Sequence, residues 1–157
     1  MKDTAPEYFR LEVSNSKRCI AIADDMLKSL LKLTPLTEND RYRFRVAVSE
    51  IVSNGYLHGN EANPEKKITI SCSIFTDKII IIVEDEGNGF IIDKVEEKYS
   101  IHGIYATGGR GLKIADKFAD DIQFKKTDEE HFSVIATKCF PVIENFQRSL
   151  HSQNFCD

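Results

Sequence analysis

Residues 48–59 read VSEIVSNGYLHG, and this stretch decides how the rest of the chain is interpreted. Glu50, Asn54 and His58 are spaced four residues apart, so on a helix they line one face. The apolar residues between them keep the helical period, and the glycine after His58 is expected to end the helix. Asn followed by Gly in the centre of a helix costs stability twice. A local conflict of this kind is typical of a functional site.

Two further clusters follow in order. Asp85-Glu86-Gly87-Asn88-Gly89 ends an isoleucine-rich strand pattern. Its glycines would let the backbone approach a flat ligand, and the exocyclic amine of adenine would supply the hydrogen-bond donor that the buried carboxylate of Asp85 needs. Gly108-Gly109-Arg110-Gly111-Leu112 opens a helical pattern, where we expect free N–H groups at a helix N-terminus to form an anion site. Each cluster alone could be a turn or a helix entry, but their order and spacing together predict an ATP site.

The residue types on the first helix suit phosphate chemistry. The amide oxygen of Asn54 is a hard ligand of the kind that Mg²⁺ prefers beside water and substrate phosphates. One turn earlier, Glu50 could orient or deprotonate the group that attacks the γ-phosphate. His58 either stays near the phosphates or only interacts with the helix C-terminus, and the second role is favoured.

Length and composition restrict the alternatives. The chain of 157 residues predicts one domain, and 41% hydrophobic with 29% charged residues is a globular composition. A net charge of -4 without a basic stripe argues against direct nucleic-acid binding. No apolar run reaches the roughly 20 residues of a membrane span, so we expect a cytoplasmic protein. The four cysteines are scattered without a Cys-x-x-Cys pair, which argues against zinc or dithiol redox chemistry.

Periodicity outlines an α+β chain. Ser14 or Ser16 is expected to begin the first helix and Thr37 the second. The segment from Ile91 to Thr107 has no clear period and is interpreted as a mobile loop that could close over a nucleotide. The remaining expected elements are the first helix ending near Leu33, a short helix at 111–118, and strands at 8–14, 68–74, 78–84, 122–124 and 132–140.

The three clusters resemble the motifs of the ATPase superfamily that includes gyrase, Hsp-type chaperones, histidine kinases and mismatch-repair proteins. Glu50-x-x-x-Asn54 is similar to its N-box, Asp85-x-Gly87-x-Gly89 to its first glycine box, and Gly109-x-Gly111-Leu112 to its second. The resemblance covers about residues 8–140 of a single domain, 1–157. Residues 48–59 most resemble the bacterial anti-sigma-factor serine kinases of the sporulation and stress-response type.

The resemblance implies the Bergerat ATP-binding fold, a two-layer α/β sandwich with a mixed, mostly antiparallel sheet and helices on one face. It also implies that Asn54 binds Mg²⁺, Glu50 is the catalytic base and Asp85 reads adenine. Arg18, on the first helix, sits where these anti-sigma factors have an arginine that contacts the sigma factor. The residues implied to shape the ATP pocket are Gly87, Gly89, Gly109, Arg110, Gly111 and Leu112.

Two departures from the family stand out. The superfamily often has Gly-Thr at the start of the last strand, where the threonine supports the adenine, but this chain reads His131-Phe132 followed by Ser133. A shift of one residue turns a side chain to the other sheet face, which puts Ser133 in doubt as a replacement. Gly55 stands where Ala is more usual.

Three functions compete. The first is a serine/threonine kinase that phosphorylates an anti-sigma-factor antagonist and sequesters a sigma factor, acting as a homodimer. The second is a nucleotide-gated binding module without kinase activity. The third is a catalytic fragment of a histidine kinase, which is disfavoured because no preceding dimerisation helix carries a candidate phospho-accepting histidine. The intact Glu50 favours the first function.

Overall fold

The computed structural model describes residues 5–87 and 101–143, and for residues 101–109 it describes the backbone alone. In chain order the elements are β1 (Glu7–Ser14), α1 (Lys17–Leu31), α2 (Glu38–Asn54), a π-helical turn (Gly55–Gly59), β2 (Lys67–Ile74), β3 (Lys78–Asp85), α3 (Ile101–Phe118), β4 (Asp121–Lys126) and β5 (Phe132–Cys139). The predicted α+β sandwich with helices on one face of the sheet is confirmed.

The five strands form one sheet in the order β1-β2-β3-β5-β4. Each described pair of neighbouring strands is antiparallel, where the prediction allowed a mixed sheet. β2 and β3 form the predicted hairpin, with Ile68 opposite Asp85 and Ile74 opposite Ile79. Strand β3 is therefore central, and its end carries the first glycine cluster.

Strict alternation along the central strands separates the two sheet faces. In β3, Ile79, Ile81, Val83 and Asp85 are buried and their neighbours are only partly covered. Successive side chains of a strand point to opposite faces, so Asp85 belongs to the same face as the apolar core. A carboxylate therefore emerges at the end of the core-facing row, between the sheet and the helices.

The helices begin where the capping residues predict. Ser16 caps α1 by accepting a hydrogen bond from the Cys19 backbone N–H at 3.3 Å. Thr37 caps α2 by accepting from the Asp40 N–H at 3.1 Å. Helix α2 supplies much of the core, and its residues buried against the sheet and the other helices are Phe44, Ala47, Val48, Ile51 and Val52.

Helix α3 corrects the sequence-based prediction. It runs from Ile101 to Phe118, so the expected short helix at 111–118 is wrong in its start, and residues 101–107 are helical instead of a loop. The remainder of the expected loop, 91–100, lies outside the described residues. Four glycines inside one helix cost roughly 1 kcal/mol each relative to Ala, and the packing of α3 on α2 offsets this cost.

Within the described ranges 5–87 and 101–143, no helix is both long enough and apolar enough to cross a membrane.

Candidate nucleotide site

Helix α3 packs closely against α2 at Gly111. A Cβ atom built on Gly111 would lie 2.6 Å from Oε2 of Glu50 and 3.6 Å from Nδ2 of Asn54. Both N-box side chains therefore face α3, as their spacing of four residues predicts. A side chain at this position would push the carboxylate of Glu50, the end of a flexible side chain, away from its place beside Asn54.

Asn54 carries an unsatisfied polar atom. Its Nδ2 is buried and has no hydrogen-bond partner among the described residues. Burying an unpaired amide costs about 1–3 kcal/mol, so such a group marks a place where a partner belongs. The two ends of an Asn amide are assigned, not observed, and rotating the amide would put its oxygen at the same point.

These residues fit a magnesium ion. An amide oxygen beside a carboxylate is the hard donor set that Mg²⁺ accepts, with phosphates and waters completing the octahedron. Among residues 5–87 and 110–143, no group of three or more His, Cys, Asp or Glu side chains could hold a metal by itself. A Mg²⁺ ion held mainly by nucleotide phosphates needs no such group.

The helix changes geometry directly after Asn54. Gly55–Gly59 form a π-helical turn, closed by a hydrogen bond from the Asn60 N–H to the Gly55 carbonyl at 2.7 Å. Short π-helical segments interrupt the four-residue register and occur often at functional sites. Because residues 55–59 are π-helical, the expected continuation of the α-helix through His58 is wrong. His58 is exposed and borders the cavity described below.

The other end of the site is built around Asp85. Its side chain is 6% exposed, and burial raises its pKa to about 6, although the Gly87 N–H opposes this by donating to Oδ1 at 2.9 Å. Carboxylates buried without a full set of donors hold their protons more tightly. Asp85 has the buried acceptor character that recognition of an adenine amine requires.

Two glycines press against this carboxylate. A Cβ on Gly59 would lie 2.3 Å from Cγ of Asp85, and a Cβ on Gly87 would lie 2.2 Å from the carbonyl oxygen of Gly59. The backbones of the π-helical turn and of the strand end therefore touch with no room for a side chain. This close approach holds Asp85 in one position.

A cavity of about 50 Å³ joins the two ends. That volume accommodates ordered water. Its walls are mainly apolar with Asn54, His58 and Asp85 as polar residues, as expected of a small-molecule site. The lining residues are Ile51, Asn54, Gly55, His58, Gly59, Val83, Asp85, Leu112, Phe132 and Val134.

Ser133 does not contribute to the cavity. Asp85 is opposite Phe132 in the register, and Ser133 is opposite Glu84 on the other sheet face. There the Ser133 hydroxyl donates to Oε2 of Glu84 at 3.1 Å. The doubt about Ser133 is therefore justified, and Phe132 occupies the position at the cavity wall.

The predicted site residues differ in where the structure places them. Asn54, Asp85 and Leu112 line the cavity, Gly87 contacts Asp85, and Glu50 meets Gly111 next to Asn54. Arg110 is exposed, and Gly109 is described only as part of the α3 backbone. Gly89 lies outside the described residues, and Arg18 is exposed on α1, away from the cavity lining.

The expected helix start at Gly108–Gly111 is wrong, which removes the ground on which an anion site is expected there. Free N–H groups occur only in the first turn of a helix, and α3 begins at Ile101. The N–H groups of Gly108–Gly111 are in the helix interior, where they face the carbonyls of the preceding turn. Gly111 instead gives α3 its close approach to α2.

The fold and site define a family. The histidine kinase-like ATPase domain family matches residues 13–138, so the chain belongs to that family. The match begins near the end of β1 and reaches into β5, and it includes both ends of the cavity. A domain of this family implies ATP binding.

Curated relatives narrow the class further. The chain is 32% identical over 104 residues to a protein named anti-sigma F factor from Oceanobacillus iheyensis, covering 65% of this chain and 71% of the relative. It is 29% identical over 135 residues to the anti-sigma F factor of Bacillus subtilis, covering 84% and 88%. A relative of the same name from Clostridium novyi is 31% identical over 104 residues, covering 64% and 71%. The chain is an ATPase-domain protein of the anti-sigma factor type.

Proposed function

We propose that the chain is an ATP-dependent anti-sigma factor that also acts as a protein serine/threonine kinase. One observation carries this proposal. Glu50 lies beside Asn54, whose buried amide has no partner among the described residues, at one end of a cavity whose other end holds Asp85. A kinase needs a general base and a metal ligand near the phosphates, and a separate group that recognises the adenine ring. The names of the relatives support the regulatory part.

The two ends of the cavity would divide the work of binding ATP. Asp85 would accept a hydrogen bond from the adenine amine, while Val83, Leu112 and Phe132 would cover the ring. Asn54 would hold Mg²⁺ together with the phosphates. The ion, when bound, neutralises charge on the β- and γ-phosphates.

Glu50 would act on the incoming hydroxyl. A serine of the antagonist would lose its proton to the Glu50 carboxylate as its oxygen forms a bond to the γ-phosphorus. The bond from that phosphorus to the bridging oxygen breaks, and ADP leaves with the electron pair. Glu50 has no hydrogen bond or ion pair with any described residue, so its carboxylate is available to accept.

The sigma factor would bind elsewhere. Arg18 is exposed near the start of α1, where arginine can serve as an interface anchor. A sigma-factor partner would require a cytoplasmic location, because transcription takes place there. A homodimer is part of the same proposal, and sedimentation analysis tests it.

The kinase part is tested with γ-labelled ATP, Mg²⁺ and small candidate antagonist proteins encoded beside the gene. We expect label on a serine or threonine of one antagonist, and none when Mg²⁺ is chelated. ATP binding without any labelled antagonist would overturn the kinase proposal and favour the nucleotide-gated binding module.

The sigma-factor part is tested by pull-down of the sigma factors of the same organism. Arg18→Ala should lose the sigma factor while keeping the ATP affinity of the wild type. Lys17→Ala is the matched control, because Lys17 is an exposed cation on the same helical turn. Equal retention of the sigma factor by both variants would remove Arg18 from the interface.

A further inference from the structure

Two buried asparagines lie beneath the Asp85 end of the site. Asn15 is 1% exposed and Asn60 is not exposed at all. Nδ2 of Asn60 donates to Oδ1 of Asn15 at 3.1 Å, which joins residues 45 positions apart. Buried amides cost free energy unless their hydrogen bonds are satisfied, so a pair of this kind needs a reason.

Asn60 holds the chain on both sides of Asp85. Its Oδ1 accepts from the Glu86 N–H at 2.8 Å, directly after the carboxylate. Its Nδ2 also donates to the Lys67 carbonyl at 2.8 Å, at the start of the neighbouring strand β2. Along the chain, Asn60 follows Gly59, whose Cα faces the Asp85 carboxylate.

Asn15 extends the same network to helix α1. Its Nδ2 donates to the Asn63 carbonyl at 3.0 Å, and its backbone N–H donates to the Lys66 carbonyl at 3.0 Å. Asn15 directly precedes Ser16, the N-cap of α1. The pair thus connects the first residues of the helix that carries Arg18 with the turn that carries Asp85.

We propose that Asn60 is a positioning residue for adenine recognition by Asp85, and that Asn15 ties this function to the start of α1. The inference rests on the proposed ATP site. Asn60 is not itself one of the residues that line the cavity, and it acts by holding Gly59 and Glu86, which flank the carboxylate. Without the acceptor on Asn60, the Glu86 N–H is left unpaired and the Asp85–Gly87 turn is free to rotate away.

The expected effect follows from the lost hydrogen bonds. Leaving a buried donor unpaired costs free energy. If that cost falls on the ATP-competent geometry, Asn60→Ala weakens ATP binding about tenfold. Asn15→Ala removes one contact of Asn60 together with the hydrogen bonds from Asn15 to the Asn63 and Tyr56 carbonyls. It leaves the Asn60 contact to Glu86 in place, so about threefold is expected. The double variant should weaken binding no more than Asn60→Ala, because both residues act through one turn.

A second readout separates positioning from simple destabilisation. ATP binding should weaken as pH falls through the pKa of Asp85, because the protonated carboxyl loses acceptor strength. If the turn loosens, Asp85 loses the Gly87 N–H, its pKa rises, and the pH midpoint of ATP binding moves upward. The other charged groups that influence Asp85, namely Lys66, Glu84 and His131, are unchanged by these substitutions.

The experiment is calorimetric titration of ATP-Mg²⁺ into the full chain between pH 5 and pH 8, at temperatures where circular dichroism shows each variant folded. Asn63→Ala is the matched control, because the Asn63 side chain contacts only the Glu65 N–H in the same exposed turn. It should keep the wild-type affinity and midpoint.

Weaker ATP binding with a raised midpoint in Asn15→Ala and Asn60→Ala supports the inference. A lower melting temperature with unchanged affinity and midpoint overturns it and leaves a purely structural pair. If Asn60→Ala does not fold, Asn15→Ala decides by the same two readouts. Absence of ATP binding in the wild type would instead overturn the proposed function itself.

Discussion

The two ends of the cavity differ in how completely their polar groups are partnered. At the Asp85 end, the carboxylate accepts from the Gly87 N–H, and Asn60 holds the next residue. At the end between α2 and α3, Nδ2 of Asn54 is buried without a partner, and Glu50 has no hydrogen bond or ion pair to any described residue.

This difference indicates two modes of recognition. Groups locked by surrounding hydrogen bonds and close glycine contacts select a ligand by shape and donor pattern, because the ligand must match them. Groups without partners are completed by the ligand, and under the proposed function the missing partners are a metal ion and a reacting hydroxyl. Substitutions at the first end should therefore change affinity, and substitutions at the second should change rate.

The largest expected effect is on rate, at Glu50. Glu50→Ala should lower phosphotransfer to the antagonist by about 10²–10⁴-fold, because the general base is lost. ATP affinity should stay near that of the wild type, since Asp85 and the apolar walls are untouched. Glu38→Ala, which removes an exposed carboxylate from the start of the same helix, is the control. A kinase assay in which both variants keep the wild-type rate would exclude Glu50 as the base.

The corresponding effect on affinity is expected at Asp85. Asp85→Asn should weaken ATP binding by about 10- to 100-fold at pH 7, because a charged acceptor contributes roughly 1.5–3 kcal/mol and the new NH₂ faces the adenine amine. Calorimetry measures this change. Asp77→Asn is the control, since Asp77 lies in the exposed β2–β3 turn. Wild-type affinity in Asp85→Asn would show that this carboxylate does not read adenine.

The pH dependence of stability isolates the cost of burying Asp85. Its pKa is raised from 3.8 to about 6, so the folded protein binds this proton more tightly than the unfolded chain. Asp85 therefore stabilises the fold fully below pH 4, and this contribution is lost as pH rises through about 6. The free energy of unfolding of wild type minus that of Asp85→Asn should fall by on the order of 2 kcal/mol between pH 4 and pH 7. A difference that is independent of pH in urea titrations would contradict a raised pKa.

A smaller rate effect is expected at Gly111. In Gly111→Ala the new methyl group would meet Oε2 of Glu50 at 2.6 Å, so the carboxylate must swing aside. Misplacing a catalytic group by about 1 Å can lower a rate by up to about 10²-fold. Because the Glu50 carboxylate is at the end of a flexible side chain, we expect phosphotransfer to fall about tenfold. The ATP affinity should change less than the rate. An equal loss of affinity and rate would mean that α3 itself is displaced.

Most of the fold follows from local signals in the sequence. The caps at Ser16 and Thr37, the period of α1 and α2, and the alternation in β2 and β3 predict those elements because each signal lies within a few residues. Helix α3 was predicted wrongly because its glycines were interpreted as breakers. Ile101, Tyr105, Gly108, Leu112 and Ala115 recur at helical spacing, and counting glycine as a small interface residue would have predicted this helix.

The sequence predicts which residues belong to the site better than it predicts how they are arranged. Glu50, Asn54 and Asp85 were identified because their residue types conflict with or end a regular pattern. The sequence contains no comparable signal for the π-helical turn, because this turn depends on how Gly59 packs against Asp85, 26 positions away in the chain. The Asn15–Asn60 contact joins residues far apart in the chain, and no local pattern predicts a partner at that separation.

The smallest expected effect tests the departure from the family at Gly55. Its backbone angles, φ -58° and ψ -44°, are helical and suit alanine. A Cβ there would lie 3.4 Å from Oδ2 of Asp85 and 3.6 Å from Cδ1 of Ile68, which is ordinary van der Waals contact. Gly55→Ala should therefore raise the free energy of unfolding by about 0.5–1 kcal/mol, because glycine loses more backbone entropy in a helix. ATP affinity should be unchanged.

Gly59→Ala is the comparison variant with the opposite expected effect on stability. The Cβ of an alanine at this position would lie 2.3–2.4 Å from three atoms of the Asp85 side chain. This variant should be less stable than the wild type and bind ATP more weakly, since either the π-helical turn or the carboxylate must move. Urea titration and calorimetry on the two alanine variants compare one helical glycine that tolerates a methyl group with one that does not. If Gly55→Ala also weakens ATP binding, the Asp85 end has less room than the geometry indicates, and the glycine at residue 55 is itself required for recognition.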